Sequence, residues 1–151
     1  MSQIIRRPAL NEQSQWQRLW EGYLQFYQAK NFSPELTDLL WSRIHDLQHP
    51  IQCFVSEDIT RNQLSGLVHF FPHTNTWKAG QVCYLEDLYV DSTYRGNGVG
   101  RALIQAVINY AKEQSWEYVY WHTQHDNHNA RELYDRLTGG TDGFVTYRIS
   151  F

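Results

Sequence analysis

Arg95-Gly96-Asn97-Gly98-Val99-Gly100-Arg101 places three glycines between two arginines, at a junction from a strand-like run to a helix-like run. The first turn of a helix presents N–H groups without intrahelical partners and a partial positive charge. Phosphate oxygens fit there. Glycines keep side chains away from those amides and accept the positive φ angles that let successive N–H groups converge. Gly96, Asn97, Gly98, Val99 and Gly100, with Arg95 and Arg101 at the ends, therefore form a candidate diphosphate cradle. A dinucleotide turn needs its third glycine one residue later and an acidic residue about twenty residues on, and a nucleoside-triphosphate loop needs Gly-Lys-Ser/Thr. Neither pattern is present. A hairpin at Asn97-Gly98 would lead into alternating residues rather than a helical stripe. A plain strand-to-helix turn is the remaining alternative.

Several elements must hold this loop. Upstream, Val82 to Val90 is rich in β-branched and aromatic residues and reads as a strand. Downstream, Val99, Leu103, Ala106, Val107, Tyr110 and Ala111 recur at three- and four-residue spacings, which predicts a helix ending near Ser115. The rest alternates. A short strand over Ile4 to Arg7 precedes a helix capped by Asn11, with Trp16, Leu19, Trp20, Tyr23, Leu24 and Tyr27 on its apolar face. Ser33-Pro34-Glu35 starts a second helix that should reach Leu47. Ile51 to Ser56 and Leu64 to Phe71 read as strands, followed after the glycine loop and its helix by a strand over Tyr118 to His122, a helix over Asn129 to Leu137 and a last strand over Phe144 to Ile149. This order implies an α+β fold with a parallel strand pair around the helix that starts at Gly100.

Composition bounds the partners. At 151 residues the chain has the size of one domain spanning residues 1–151, and its net charge of −3 argues against a broad basic nucleic-acid surface. Neither a membrane span nor a signal peptide is apparent, so a cytoplasmic location is expected. Cys53 and Cys83 fall in apolar strand-like runs, which favours buried thiols over a disulfide or metal pair.

Arg95-x-x-Gly98-x-Gly100, preceded by Leu85-Glu86-Asp87-Leu88-Tyr89-Val90, resembles the acetyl-CoA-binding core of the GNAT superfamily of N-acetyltransferases. Asn127-His128-Asn129-Ala130-Arg131-Glu132-Leu133-Tyr134 is similar to the Asn-x-x-Ala-x-x-Leu-Tyr segment that follows the fifth strand in many members. The resemblance implies a central, mostly antiparallel sheet flanked by helices, with the fourth and fifth strands splayed. The pantetheine arm would lie in that gap against the backbone of Leu88, Tyr89 and Val90. One departure is the glycine-rich stretch Asp135 to Phe144, longer than the family's usual Tyr-x-x-x-Gly-Phe ending.

Acetyl transfer to an amine must solve a protonation problem. An alkylamine of pKa about 10.4 is neutral in roughly one molecule in a few thousand at pH 7, so deprotonation costs about 4 to 5 kcal/mol. A carboxylate near the thioester can attract the ammonium and take its proton. Glu86 and Asp87 are adjacent on a strand and should face opposite ways unless a bulge intervenes. Similarity to polyamine acetyltransferases favours Glu86 as the base and Asp87 as a substrate ligand, with Asp87 or water the alternative base. Tyr134 matches the tyrosine that members use to protonate the leaving thiolate, and Asn127 matches a residue that orders cofactor or loop. Tyr23 and Tyr27 lie on a helix that borders the acceptor site in the family, where a ring could meet an ammonium face-on.

The resemblance thus points to an acetyl-CoA-dependent N-acetyltransferase working by direct attack in a ternary complex on a polyamine or diamino acid. Protein lysine, an amino acid, or a non-catalytic acyl-CoA sensor are the alternatives. His122, His125 and His128 form a His-x-x-His-x-x-His run, but this spacing crosses a strand end, a loop and a helix start. No metal is expected. Family habit and an edge position for the last strand suggest a homodimer.

Overall fold

The computed structural model describes residues 2–151. Its contacts divide the chain into two units, the first running to Trp121 and the second comprising His122–Phe151. In the first unit five strands form one sheet in the order β1 (Gln3–Arg6), β2 (Gln52–Asp58), β3 (Gln63–His73), β4 (Val82–Val90) and β5 (Val119–Tyr120). The first three neighbouring pairs are antiparallel, and β4 and β5 are parallel.

Three helices belong to this unit: α1 (Gln13–Phe26), α2 (Pro34–Ile44) and α3 (Val99–Glu113). Alternation along the strands sorts the sheet into two faces. Trp16, Leu19 and Trp20 of α1 and Trp41 of α2 pack with Cys53, Val55 and Leu67 on one face. On the other, Phe54 and Phe70 meet Tyr110 of α3 with ring centroids 5.8 and 5.9 Å apart. Both cysteines are free and buried, and desolvation pushes the Cys83 thiol up to about 12.

Several boundaries differ from expectation for local reasons. Asn11 does not cap α1; a 3-10 turn over Leu10–Glu12 precedes it, held by the Glu12 carboxylate accepting from the Ala9 amide at 2.8 Å. Ser33 does cap α2, accepting from the Leu36 amide at 3.2 Å. That helix stops at Ile44 rather than Leu47, where the Asp46 side chain takes the Gln48 amide at 2.9 Å and offers the backbone a turn instead. β5 is shorter than predicted because it pairs with β4 only at Cys83 and Tyr84.

The second unit contains α4 (His128–Thr138), closed by Gly139 in the left-handed conformation with φ of 85°. The predicted last strand over Phe144 to Ile149 is not formed. Its alternation supplies β-propensity, but a strand is stabilised by cross-strand pairs, and no strand among the described residues pairs with it. No helix among the described residues is long and apolar enough to cross a membrane.

Gly66 on β3 sets how closely α3 lies on the sheet. A Cβ there would stand 2.9 Å from the Tyr89 carbonyl oxygen, 3.1 Å from Leu103 and 3.2 Å from Val99. Gly66→Ala should therefore cost about 1 to 3 kcal/mol by overpacking, read as a lower denaturant midpoint with an unchanged m-value. An unaltered midpoint would show that α3 does not rest on this glycine.

Candidate active site

The register of β4 against β3 breaks at one point. His69 pairs with Asp87 and Phe70 pairs with Leu85, which leaves Glu86 as an extra residue without a partner in the ladder. Leu85 follows Phe70 onto the α3 face, and Asp87 follows His69 onto the α1 face. Alternation breaks at one of the two steps around Glu86, and its charge acts on Tyr23 of α1 and couples to Asp87, so Glu86 also turns toward α1. The bulge thus brings both carboxylates to one face, the exception that the adjacent positions required.

The electrostatics agree. Glu86 is solvent-accessible, yet partial desolvation of its carboxyl and then the charge of Asp87 raise its pKa. The Tyr23 side chain lies beside Asp87, and burial followed by the Asp87 charge holds its pKa well above the ordinary phenol range. Tyr23 stacks on Trp20 at 5.1 Å and is tilted against Tyr27 at 4.8 Å, so both tyrosines are half-buried in the aromatic layer of α1. Tyr23 lies beside the carboxylate pair with its ring packed on Trp20 and Tyr27 rather than presenting an open face.

Beyond the bulge, the Asp91 amide donates to the Ser65 carbonyl of β3 at 2.8 Å. Counting back by twos, Tyr89 also faces β3, while Leu88 and Val90 direct their main-chain groups to the opposite edge. β5 does not follow β4 past Tyr84, so that edge is without a strand partner from Leu85 onward. The Val90 carbonyl there accepts from Arg95 Nε at 3.1 Å. Arg95 also lies over Phe26 and Tyr89, with its guanidinium carbon 5.9 and 5.6 Å from the ring centroids, so it braces the loop against β4.

Gly96 and Gly98 have φ of 79° and 78°, and a Cβ at either would meet nothing within 4 Å. Backbone conformation, not crowding by the protein, demands glycine there, and the space above the loop is open. Asn97 Nδ2 donates to the Tyr94 carbonyl at 3.2 Å and pins the turn from below. Val99 is buried beneath it, and the ladder of α3 begins with the Ala102 amide on the Gly98 carbonyl at 3.0 Å. The amides of Val99, Gly100 and Arg101 precede that ladder. Arg101 is exposed in a first turn that has no acidic residue, a placement that opposes the helix dipole and suits an anion.

In the second unit, Asn127 precedes α4 without capping it through its side chain, which instead donates to Thr123 Oγ1 at 3.0 Å. Tyr134 is half-buried on α4. Among the described residues, no three or more His, Cys, Asp or Glu side chains are grouped to hold a metal ion.

Sequence reasoning missed two residues. His69 is fully buried, with Nδ1 3.0 Å from Asp87 Oδ2, and Trp16 Nε1 donates to His69 Nε2 at 3.2 Å. The signal that could have found them was a histidine inside the apolar run Leu67-Val68-His69-Phe70-Phe71, because a buried imidazole requires partners.

The acetyltransferase (GNAT) family model matches residues 16–139, so the chain belongs to this family of acetyltransferases. A D-amino-acid N-acetyltransferase of Saccharomyces cerevisiae, HPA3, is 33% identical over 148 residues, 98% of this chain and 91% of that protein. An L-ornithine N5-acetyltransferase of Arabidopsis thaliana, NATA1, is 29% identical over 122 residues, 78% of this chain and 52% of that longer protein. The structure of AAC(6')-Iy in complex with the bisubstrate analog CoA-S-monomethyl-acetylneamine superposes with a TM-score of 0.82 at 16% identity, covering all of both chains, and shows a shared fold.

The raised pKa of Glu86 carries a stability prediction. A carboxyl whose folded-state pKa exceeds its unfolded value favours folding while protonated, and that contribution is lost as pH rises through the folded pKa. Glu86→Gln should therefore melt at a higher temperature than the parent at pH 7.5, and the gain should vanish below pH 4, near the ordinary glutamate pKa of about 4.3. A lower melting temperature at pH 7.5 would show that the Glu86 carboxylate is stabilised by its surroundings.

Proposed function

We propose that this chain is an acetyl-CoA-dependent N-acetyltransferase acting on the primary amine of a small cationic acceptor, a polyamine or a diamino acid. The observation that carries the acceptor class is the bulge that turns Glu86 and Asp87 to one face beside Tyr23. Two carboxyl groups there suit an acceptor with two positive charges. The ornithine specificity named for the Arabidopsis relative supports a diamino acid. The D-amino-acid activity named for the yeast relative favours a second reading, an amino acid with one reacting amine.

Acetyl-CoA supplies the acetyl group as a thioester. The open space over Gly96 and Gly98, the amides before the α3 ladder, and Arg101 fit its diphosphate. The edge at Leu88 and Val90, which has no strand partner, fits an extended pantetheine arm and could direct an amide at the thioester carbonyl. Asp87 and the Tyr23 hydroxyl hold and orient the acceptor. Glu86, accessible and with its pKa raised, takes a proton from the ammonium, directly or through water. The neutral amine attacks directly in a ternary complex, so the chain supplies no nucleophile. Tyr134, matched to the family tyrosine, protonates the departing thiolate, and Asn127 orders the segment before it.

The exposed apolar side chains Phe144, Val145, Tyr147 and Ile149 of the second unit support assembly as a homodimer, and a monomeric mass in sedimentation at micromolar concentration would count against it.

A panel of putrescine, spermidine, L-ornithine, D-amino acids and lysine peptides, assayed by CoA release, tests the reaction. Diamines or diamino acids should give the highest kcat/KM, and Tyr134→Phe should lower kcat about 10²-fold or more while sparing acetyl-CoA affinity. Binding of acetyl-CoA without release across the panel would identify a sensor module, and undiminished turnover in Tyr134→Phe would remove Tyr134 from the acid role.

A further inference from the structure

Beneath the carboxylate pair lies a buried polar chain on the sheet face covered by α1. Asp87, at the acceptor face, is 12% exposed, and His69 directly across the strand pair is completely buried. The two are joined through His69 Nδ1 and Asp87 Oδ2 at 3.0 Å. On its far side His69 Nε2 faces Trp16 Nε1 at 3.2 Å.

An indole N–H can only donate, so Nε2 must be the acceptor of that bond. The imidazole then carries its single proton on Nδ1, where it donates to Asp87. The groups that face His69 are few. Trp16 and Trp20 come from α1, with ring centroids 5.9 and 5.2 Å away; Cys53 is its cross-strand partner on β2; Asp87 lies on β4, with Glu86 the next titratable group beside it. Burial disfavours a charged ring, and Cys53 and Asp87 favour one, with a net upward pull. The indole outweighs that pull, because an imidazolium would set two N–H donors against each other 3.2 Å apart.

We propose that His69 is a positioning residue of the acceptor site: a neutral imidazole, held as the Nδ1–H tautomer by Trp16, that fixes the Asp87 carboxylate for an incoming ammonium. This rests on the reading of Asp87 as an acceptor ligand. With one donor from His69, the carboxylate keeps about three of its roughly four lone-pair sites for the substrate. Asp87 is thus oriented before the acceptor arrives, and little ordering remains to be done on binding.

The test has two arms. In the resting protein labelled with ¹⁵N-histidine, two-bond ¹H–¹⁵N correlation at pH 7.5 should show His69, assigned by its loss in His69→Asn, with a protonated Nδ1 and a bare Nε2. Protonation of both nitrogens, or of Nε2 alone, would overturn the proposal, whether or not the protein turns over any amine. In steady-state kinetics, His69→Leu should raise the acceptor KM about tenfold or more with the acetyl-CoA KM unchanged, whereas His69→Asn, whose amide can still donate toward Asp87, should recover most of the loss. Equal effects of Leu and Asn, or a parallel change in both KM values, would reduce His69 to a packing role. Absence of turnover in the parent with every amine would instead count against the acetyltransferase reading and leave the tautomer standing.

Discussion

One extra residue in β4 governs the site. An unbroken ladder would send Glu86 and Asp87 to opposite faces, one toward α1 and one toward α3. The bulge opposite His69 and Phe70 removes that alternation for a single step. Its consequences run in both directions along the strand. Before it, Val82 and Leu85 are buried in the core, and beyond it β4 continues along β3 while its other edge is left without a strand partner. A carboxylate pair and an open backbone edge therefore arise on consecutive residues of one strand.

Bringing two like charges together is unfavourable, and the surrounding protein offsets it unevenly. Asp87 receives a hydrogen bond from His69, whereas at Glu86 desolvation and the neighbouring charge dominate and its pKa rises. Two carboxyls in different environments are suited to different tasks, one to hold a cation and one to exchange a proton. The glycine loop shows a similar tension. Arg101 at the start of α3 works against the helix dipole, and an anion bound at the first turn would relieve it.

Much of this was legible in the sequence where local chemistry decides structure. The bounds of β4, the start of α3 at the glycine loop and the Ser33 cap follow from propensity, helix periodicity and capping, all short-range effects. What depended on partners far along the chain was less accessible. Phe144 to Ile149 alternates like a strand, but strand formation needs a neighbour and residue types alone do not supply one. The bulge left no signature at Glu86 itself, since register is a property of two strands together. His69 was visible only as a polar residue in an apolar run, and its meaning required Trp16, 53 residues earlier, and Asp87, 18 residues later.

The sharing of one face by Glu86 and Asp87 is tested most directly by their electrostatic coupling. Carboxyl ¹³C chemical shifts of Glu86, followed through a pH titration in the parent and in Asp87→Asn, report that coupling. Removing the Asp87 charge should lower the Glu86 midpoint toward the ordinary glutamate value. An identical midpoint in the two proteins would mean that the carboxyls do not sense one another, and the role given to the bulge would be contradicted.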